Sequence, residues 1–222
     1  MEISERNLPH KLSIQFPKNH QASGWTVLGG GLQMPTDRVV FLYLEGSQLK
    51  TQTPLDYIAS VTTTIERENA QIFLTSAHLE DYSVSSSEDN AVHAVATVGL
   101  GNALRAGDPV CMQTVGTINL CLVINRRLSP EACLEAISIA TEAKCTIMQE
   151  EAIQSIQGTG VATGTGTDCI CVVDSPLGET YHYSGKHTEL GFSIASCTRR
   201  ALRQGIKSWC LRYPSHTVLQ KQ

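Results

Sequence analysis

Apolar and polar residues alternate from Leu12 to Phe16, the period of a strand with one buried face, and Trp25 to Leu28 reads as a second short strand. Arg38 to Leu44 is an almost continuous apolar run, as expected of a strand covered on both faces, and Glu45-Gly46 ends it. At Pro54 the period changes. Leu55, Ile58, Val61, Thr62 and Ile65 recur at intervals of three and four, which predicts a helix from Pro54 to Arg67 with one face turned inward. Gln71 to Thr75 reads as a strand, and His78 to Asp89, with its Ser85-Ser86-Ser87 run, as a surface loop. Ala91 to Val98 and Val115 to Asn125 read as two further strands.

Ser129-Pro130-Glu131 is a helix start: a capping hydroxyl, proline in the first turn, and an acid on the positive end of the dipole. The helix should run to about Ile153, with Leu134, Ile137, Thr141, Lys144 and Met148 on one stripe. Cys169 to Val173 is an apolar strand, Asp174 to Glu179 a turn, and Tyr181 to Tyr183 a returning strand. Thr188 caps a last helix with Leu190, Ile194, Cys197, Ala201 and Leu202 facing inward, and its Arg199, Arg200, Arg203 and Lys207 suit the negative end of the dipole. The order β-β-β-α-β-β-β-α-β-β-α predicts an α/β or α+β fold, a mixed sheet with helices packed on its faces. We expect one domain over residues 23–212, preceded by an N-terminal extension or edge strand (1–22) and followed by a tail (213–222).

Composition narrows the function classes. A net charge of −4 without any Lys/Arg cluster argues against nucleic-acid binding. The polar start and the absence of any long apolar run argue against a membrane protein, so a soluble, cytoplasmic protein is expected. Cysteines stand at 111, 121, 133, 145, 169, 171, 197 and 210 with no C-x-x-C pair, a spacing that fits reduced core residues better than a disulfide or zinc framework. Cys169 and Cys171 share a strand face, which leaves a thiol nucleophile there as a minor reading.

The stretch that invites chemistry is Gly158-Thr159-Gly160-Val161-Ala162-Thr163-Gly164-Thr165-Gly166-Thr167-Asp168. Glycines free the backbone N–H groups, threonine hydroxyls flank them, and a carboxylate stands at the junction with the next strand. No Gly-Lys-Ser/Thr closes the loop, and it enters a strand instead of leaving one, so neither the Walker nor the dinucleotide pattern applies. Such a loop suits an oxyanion, a phosphate or an amide carbonyl, with Asp168 as a base; the competing reading is a flexible connection. Asn102, in the glycine-punctuated turn Gly99-Leu100-Gly101-Asn102, is either an oxyanion donor or a turn residue. Thr117 and Asn119 share one face of their strand, and Gly29-Gly30-Gly31 marks a turn or a ligand's resting place. Lys144 on the helix stripe either snorkels to water or reaches an anion or carboxylate in a site. His187, between a glycine and a helix cap, is either an acid–base group or a surface histidine, and Arg105 either pairs with Asp108 or serves the site.

Three motifs in fixed order carry a resemblance: Thr97-Val98-Gly99-Leu100-Gly101-Asn102-Ala103-Leu104-Arg105-Ala106-Gly107-Asp108, Gly116-Thr117-Ile118-Asn119-Leu120, and Thr163-Gly164-Thr165-Gly166-Thr167-Asp168. With Gly30-Gly31, Ala140-Thr141-Glu142-Ala143-Lys144 and Tyr183-Ser184-Gly185-Lys186-His187-Thr188, they resemble the adenosylcobinamide amidohydrolase family over roughly residues 23 to 205. Val98 and Ser184 stand where that family usually has alanine, and the first seventy residues match more loosely.

The resemblance implies hydrolysis of the amide joining aminopropanol to the corrin ring's propionate, giving adenosylcobyric acid for coenzyme B12 salvage. A small corrinoid is then the partner, and oligomeric state stays open. Residue chemistry suggests Asp168 as base, His187 as proton shuttle and Asn102 with loop N–H groups as oxyanion donors. Thr165 or Thr167 is the rival covalent nucleophile. Gly30, Gly31, Thr97, Gly99, Arg105, Thr117, Asn119, Lys144, Gly164, Thr165 and Gly166 are the expected substrate-binding positions. No cofactor is called for, and no H-x-H or H-E-x-x-H pair suggests a metal. The alternatives are a non-catalytic corrinoid or nucleotide binder, and an amidase of other specificity.

Overall fold

The computed structural model, which describes residues 2–7, 9–110 and 116–214, builds the chain around a mixed sheet that curls on itself. The sequence expectations at Cys111 and Val115, and those for the tail beyond 214, lie outside the described residues. In chain order the elements are β1 (Glu2–Asn7), β2 (Lys11–Trp25), β3 (Gly31–Tyr43), α1 (Pro54–Val61), α2 (Thr64–Arg67) and β4 (Ala70–Thr75). Then come β5 (Ser83–Ser86), β6 (Val92–Val98), β7 (Ala103–Leu104), β8 (Ile118–Ile124), β9 (Arg127–Leu128) and α3 (Pro130–Glu150). β10 (Gly164–Thr165), β11 (Cys169–Asp174), β12 (Thr180–Tyr181) and α4 (Glu189–Arg212) complete the fold. The main sheet has the order β4-β3-β2-β11-β8-β6-β5, with β1 added to β2, and β3–β4 and β8–β11 are its parallel pairs. The alternation of periods allowed α/β or α+β, and the mixed sheet with its flanking helices makes it an α/β domain.

Strand alternation sorts the core. Ile118, Leu120, Leu122 and Ile124 of β8 point to the face covered by α3 and α4, whereas Cys121 and Val123 point into the curl with Val95, Cys171 and Val173. There they meet Leu12, Ile14, Val39, Phe41 and Phe73 from the other limb of the sheet, with Phe41 and Phe73 stacked at 4.7 Å. On the outside of that limb, Val40, Leu42, Ile72 and Leu74 pack with Tyr57 and Ile58 of α1. The sheet therefore has an apolar interior between its limbs and a helical layer on each outer flank.

Several expectations change. The helix from Pro54 to Arg67 is two helices: Thr53 forms a capping box with Asp56, Thr63 forms another with Glu66, and Thr62 between them is extended. Of the expected inward face only Ile58 is buried; Leu55, Val61 and Ile65 are exposed. The predicted loop from His78 to Asp89 contains an edge strand, β5, because its serines supply main-chain partners to Ala94–Ala96 whatever their side chains. Leu12 to Phe16 lies inside a strand of 15 residues that ends at Trp25, and Leu28 contributes an isolated bridge to Ile72. β12 stops at Tyr181. The cap of α3 is as expected, its end comes at Glu150, and its buried stripe is rotated. Leu134 is exposed, and Ala132, Ala136, Ala140 and Ala143 let the helix lie close to the sheet beside Ile139, Ile147 and Met148. In α4 the cap and all five inward positions match the expectation.

Candidate active site

β8 and β11 run parallel to each other and antiparallel to β6 and β2, so at one end of the sheet two strands begin where their outer neighbours finish. Four glycine-punctuated segments singled out in the sequence connect at this end. Residues 99–102 leave β6, 116–117 enter β8, 164–168 enter β11, and the 26–31 turn follows β2.

Asp168 is the hub. Its Oδ1 accepts the Thr165 hydroxyl at 2.5 Å and the Ile118 and Thr165 N–H groups at 3.1 Å, and its Oδ2 accepts the Lys144 ammonium. Both charged side chains are buried, at 8% exposed for Asp168 and 10% for Lys144. Lys144 is thus not snorkelling to water: it reaches the carboxylate, one of the two outcomes left open by its place on the helix. Gly164 is required beside them, because a Cβ there would overlap the Asp168 carboxylate and stand 2.6 Å from Lys144 Nζ.

A second cluster locks the loops together. Thr167 donates its hydroxyl to the Gly116 carbonyl at 2.8 Å, and Thr117 returns the bond to the Thr167 carbonyl at 2.9 Å. Thr117 also lies 3.3 Å from Asn119 Oδ1, and Asn119 donates to the Leu74 carbonyl at 2.8 Å, tying this end of β8 to the opposite limb. Asn102 sits between Gly116 and Gly166. A Cβ on Gly116 would lie 2.7 Å from its Oδ1, and one on Gly166 would lie 3.4 Å from its Nδ2. Its Oδ1 is buried without a partner, as is the Thr97 hydroxyl on β6. A buried acceptor left unmet is costly, so Asn102 holds hydrogen-bonding capacity in reserve at the loop junction.

The remaining predicted positions divide. Gly99 is on this floor, its N–H bonded to the Thr117 carbonyl. Gly30 and Gly31 lie in the turn after β2 at the same sheet end, where Gly31 pairs with Gly24. Arg105 stands further out: its guanidinium holds the Thr159 carbonyl at 3.1 Å, while Asp108 accepts the Arg105 N–H and the hydroxyls of Ser155 and Thr159. The hydroxyl bonds to Ser155 and Thr159, chiefly, hold the Asp108 carboxyl below its ordinary range. The Arg105–Asp108 contact is therefore main-chain to carboxylate, within a clasp joining two loops. His187 is exposed, and no hydrogen bond joins it to the Asp168 cluster; its neighbour Lys186 pairs with Glu142 of α3. Burial pushes the Cys169 thiol up to about 11 and that of Cys171 well above its ordinary value, so neither offers a thiolate near neutrality.

Sequence reasoning missed two participants. Trp25 donates its indole N–H to the Asp168 carbonyl at 2.7 Å, and the Ile118 N–H completes the carboxylate's cradle. The only sequence signal for Trp25 is an aromatic residue just ahead of a glycine-rich turn.

Fold and site together define a single-domain α/β protein that gathers a carboxylate, an ammonium, threonine hydroxyls and an asparagine amide from glycine-rich loops at one sheet end. A family model described as adenosylcobinamide amidohydrolase matches residues 1–214. The chain belongs to the adenosylcobinamide amidohydrolase family. It is 31% identical over 165 residues to an uncharacterized protein of Methanocaldococcus jannaschii, a match covering 64% of each chain. It is 30% identical over 150 residues to an adenosylcobinamide amidohydrolase of Halobacterium salinarum, covering 64% of this chain and 61% of that one. Another of that name from Methanosarcina mazei is 30% identical over 145 residues, covering 60% of this chain and 64% of the relative. The chain thus spans less than two thirds of the length of these relatives.

Proposed function

We propose that this protein hydrolyses the amide between aminopropanol and the corrin propionate of adenosylcobinamide, releasing adenosylcobyric acid for cobalamin salvage. Family membership supports the substrate class. The observation that carries the chemistry is the Thr165 hydroxyl 2.5 Å from Asp168 Oδ1, with Lys144 fixed on the other oxygen. Amide hydrolysis needs a nucleophile, a base, donors for the oxyanion and a proton for the departing amine.

In this reading Asp168 is the base and Thr165 the nucleophile. Both carboxylate oxygens already carry donors, and the Thr165 hydroxyl is the donor whose proton can leave along an existing hydrogen bond. Thr165 Oγ1 attacks the amide carbon while its proton moves to Asp168. Asn102 Nδ2 and freed N–H groups of the glycine loop receive the oxyanion. The C–N bond then breaks as Asp168 passes the proton to the leaving nitrogen. A water next attacks the ester, gives its proton to Asp168, and the threonine oxygen leaves with that proton, so the carboxyl product and the free enzyme are regenerated. Lys144 holds the Asp168 carboxylate in place. Thr167, whose hydroxyl is committed to the Gly116 carbonyl, shapes the loop. His187, exposed and unbonded to this cluster, is given no step.

Incubation with adenosylcobinamide, followed by chromatography and mass spectrometry, tests the reading: aminopropanol and adenosylcobyric acid should form in equal amounts. Tight corrinoid binding without product would make the protein a binder, and cleavage of other amides alone would make it an amidase of different specificity.

A further inference from the structure

Trp25 is held in an uncommon way. Its indole N–H is committed to the Asp168 carbonyl, yet the residue is 45% exposed, whereas Trp209, the other of the chain's 2 tryptophans, is 7% exposed. A satisfied N–H and an open aromatic face, fixed to the backbone of a site residue, form a stacking surface already paid for in conformational entropy. The surroundings extend it. Leu32, at the start of β3 just past the glycine turn, is also exposed, and the turn beside Trp25 carries no side chain at Gly29, Gly30 or Gly31. Backbone lies so close there that a Cβ on Gly30 would stand 3.2 Å from the Trp25 Cα.

We infer that Trp25 is the wall against which the corrin macrocycle rests. The inference builds on the function proposed above. The scissile amide hangs from the ring on a short propionate arm, so when the amide carbon reaches Thr165 the macrocycle has to lie beside the loop that Trp25 touches. A flat ring with apolar edges matches a fixed indole face. Trp25 is on this account a specificity residue, with no part in proton transfer.

Two variants separate stacking from loop support. Trp25→Phe and Trp25→Ala both lose the N–H bond to Asp168, but only phenylalanine keeps an aromatic face. Stacking predicts a KM increase of about tenfold or more for alanine, a much smaller one for phenylalanine, and kcat within a few-fold in both. Equal effects of the two variants, or a loss confined to kcat, would overturn the proposal in favour of a purely structural role. Hydroxyl-radical footprinting of the unaltered protein, read by mass spectrometry, gives a second measure should the alanine variant fold poorly. Trp25 should lose reactivity with adenosylcobinamide and with dicyanocobinamide, which lacks the adenosyl group. Protection by the adenosylated ligand alone would assign the ring to adenine and overturn the corrin assignment. Corrinoid binding measured by equilibrium dialysis with Trp25 still reactive would refute this inference and leave the hydrolase reading standing, whereas no binding at all would end both.

Discussion

Lys144 on α3 and Asp168 at the mouth of β11 form an ion pair whose side chains are 10% and 8% exposed, joining helix to loop through charges that water scarcely reaches. Removing one partner strands the other. Lys144→Met should destabilise the protein by about 3 kcal/mol, because an uncompensated buried carboxylate costs more than the intact pair contributes. Urea titration checks this. The double variant Lys144→Met/Asp168→Asn should recover part of the loss without recovering activity, so the two substitutions should be clearly non-additive.

Asp168→Asn, with corrinoid binding retained, should lower turnover by roughly 1000-fold or more, since asparagine cannot take the proton of the attacking hydroxyl. Thr165→Ala should be comparably inactive and Thr165→Ser measurably active. Thr167→Ala should cost about tenfold or less, through loop positioning alone. Single-turnover product formation distinguishes these outcomes, and near-normal rates in Thr165→Ala would transfer the attack to water.

Asn102→Ala should reduce kcat by about 100-fold with little change in stability, as expected for a donor whose role is in the transition state. Its buried Oδ1 has no partner, so truncation forfeits no native hydrogen bond at that atom. A large drop in thermal stability with an unchanged kcat would show a structural role instead.

At the far end of β11, Asp174 is buried, its Oδ2 accepts the Leu128 N–H at 3.1 Å, and its Oδ1 has no partner. Burial raises its carboxyl above the ordinary value of 3.8, opposed chiefly by the Leu128 N–H. With the folded value raised, its contribution to stability is present in full below the unfolded value and is lost as pH climbs through the folded one. Asp174→Asn, which keeps an acceptor for Leu128, should therefore stabilise the protein by about 1 kcal/mol at pH 7 and lose that advantage on acidification toward pH 4. Denaturation midpoints across that range decide it.

Activity should survive exhaustive dialysis against a chelator, because Asp168 and Thr165 supply base and nucleophile in the proposed chemistry. Loss of turnover restored by one divalent metal would replace that mechanism with a metal-assisted one.

The strands entering the site were legible because burial on both faces writes a plain apolar run, as in Ile118 to Ile124, and the caps at Ser129 and Thr188 because a hydroxyl before an apolar run has one common use. The break at Thr62-Thr63 was hidden by a periodicity that ran straight across it, although Thr53-x-x-Asp56 and Thr63-x-x-Glu66 both spell capping boxes. Alanines misdirected the α3 stripe: weak in hydropathy, they are what lets the helix approach the sheet. β5 was lost because edge pairing draws on the backbone alone. Within the candidate site, the sequence put Asp168, Thr165, Asn102 and Lys144 on separate segments, and only their three-dimensional placement makes Asp168 a shared acceptor. That Trp25 reaches Asp168 across 143 positions of chain, and that His187 stays outside, follows from how the strands are ordered, which no local pattern encodes.

The ladder between β8 and β11 sets Asn119 against Cys169 and continues in unbroken parallel register to Ile124 and Asp174. Two reactive segments are thereby mounted on one rigid frame, while the rim formed by the turn after β2 is carried by a separate stretch of chain. A designer seeking to admit a bulkier or smaller ring could rebuild that rim freely, leaving the alignment of the cutting apparatus to the twin rails beneath it.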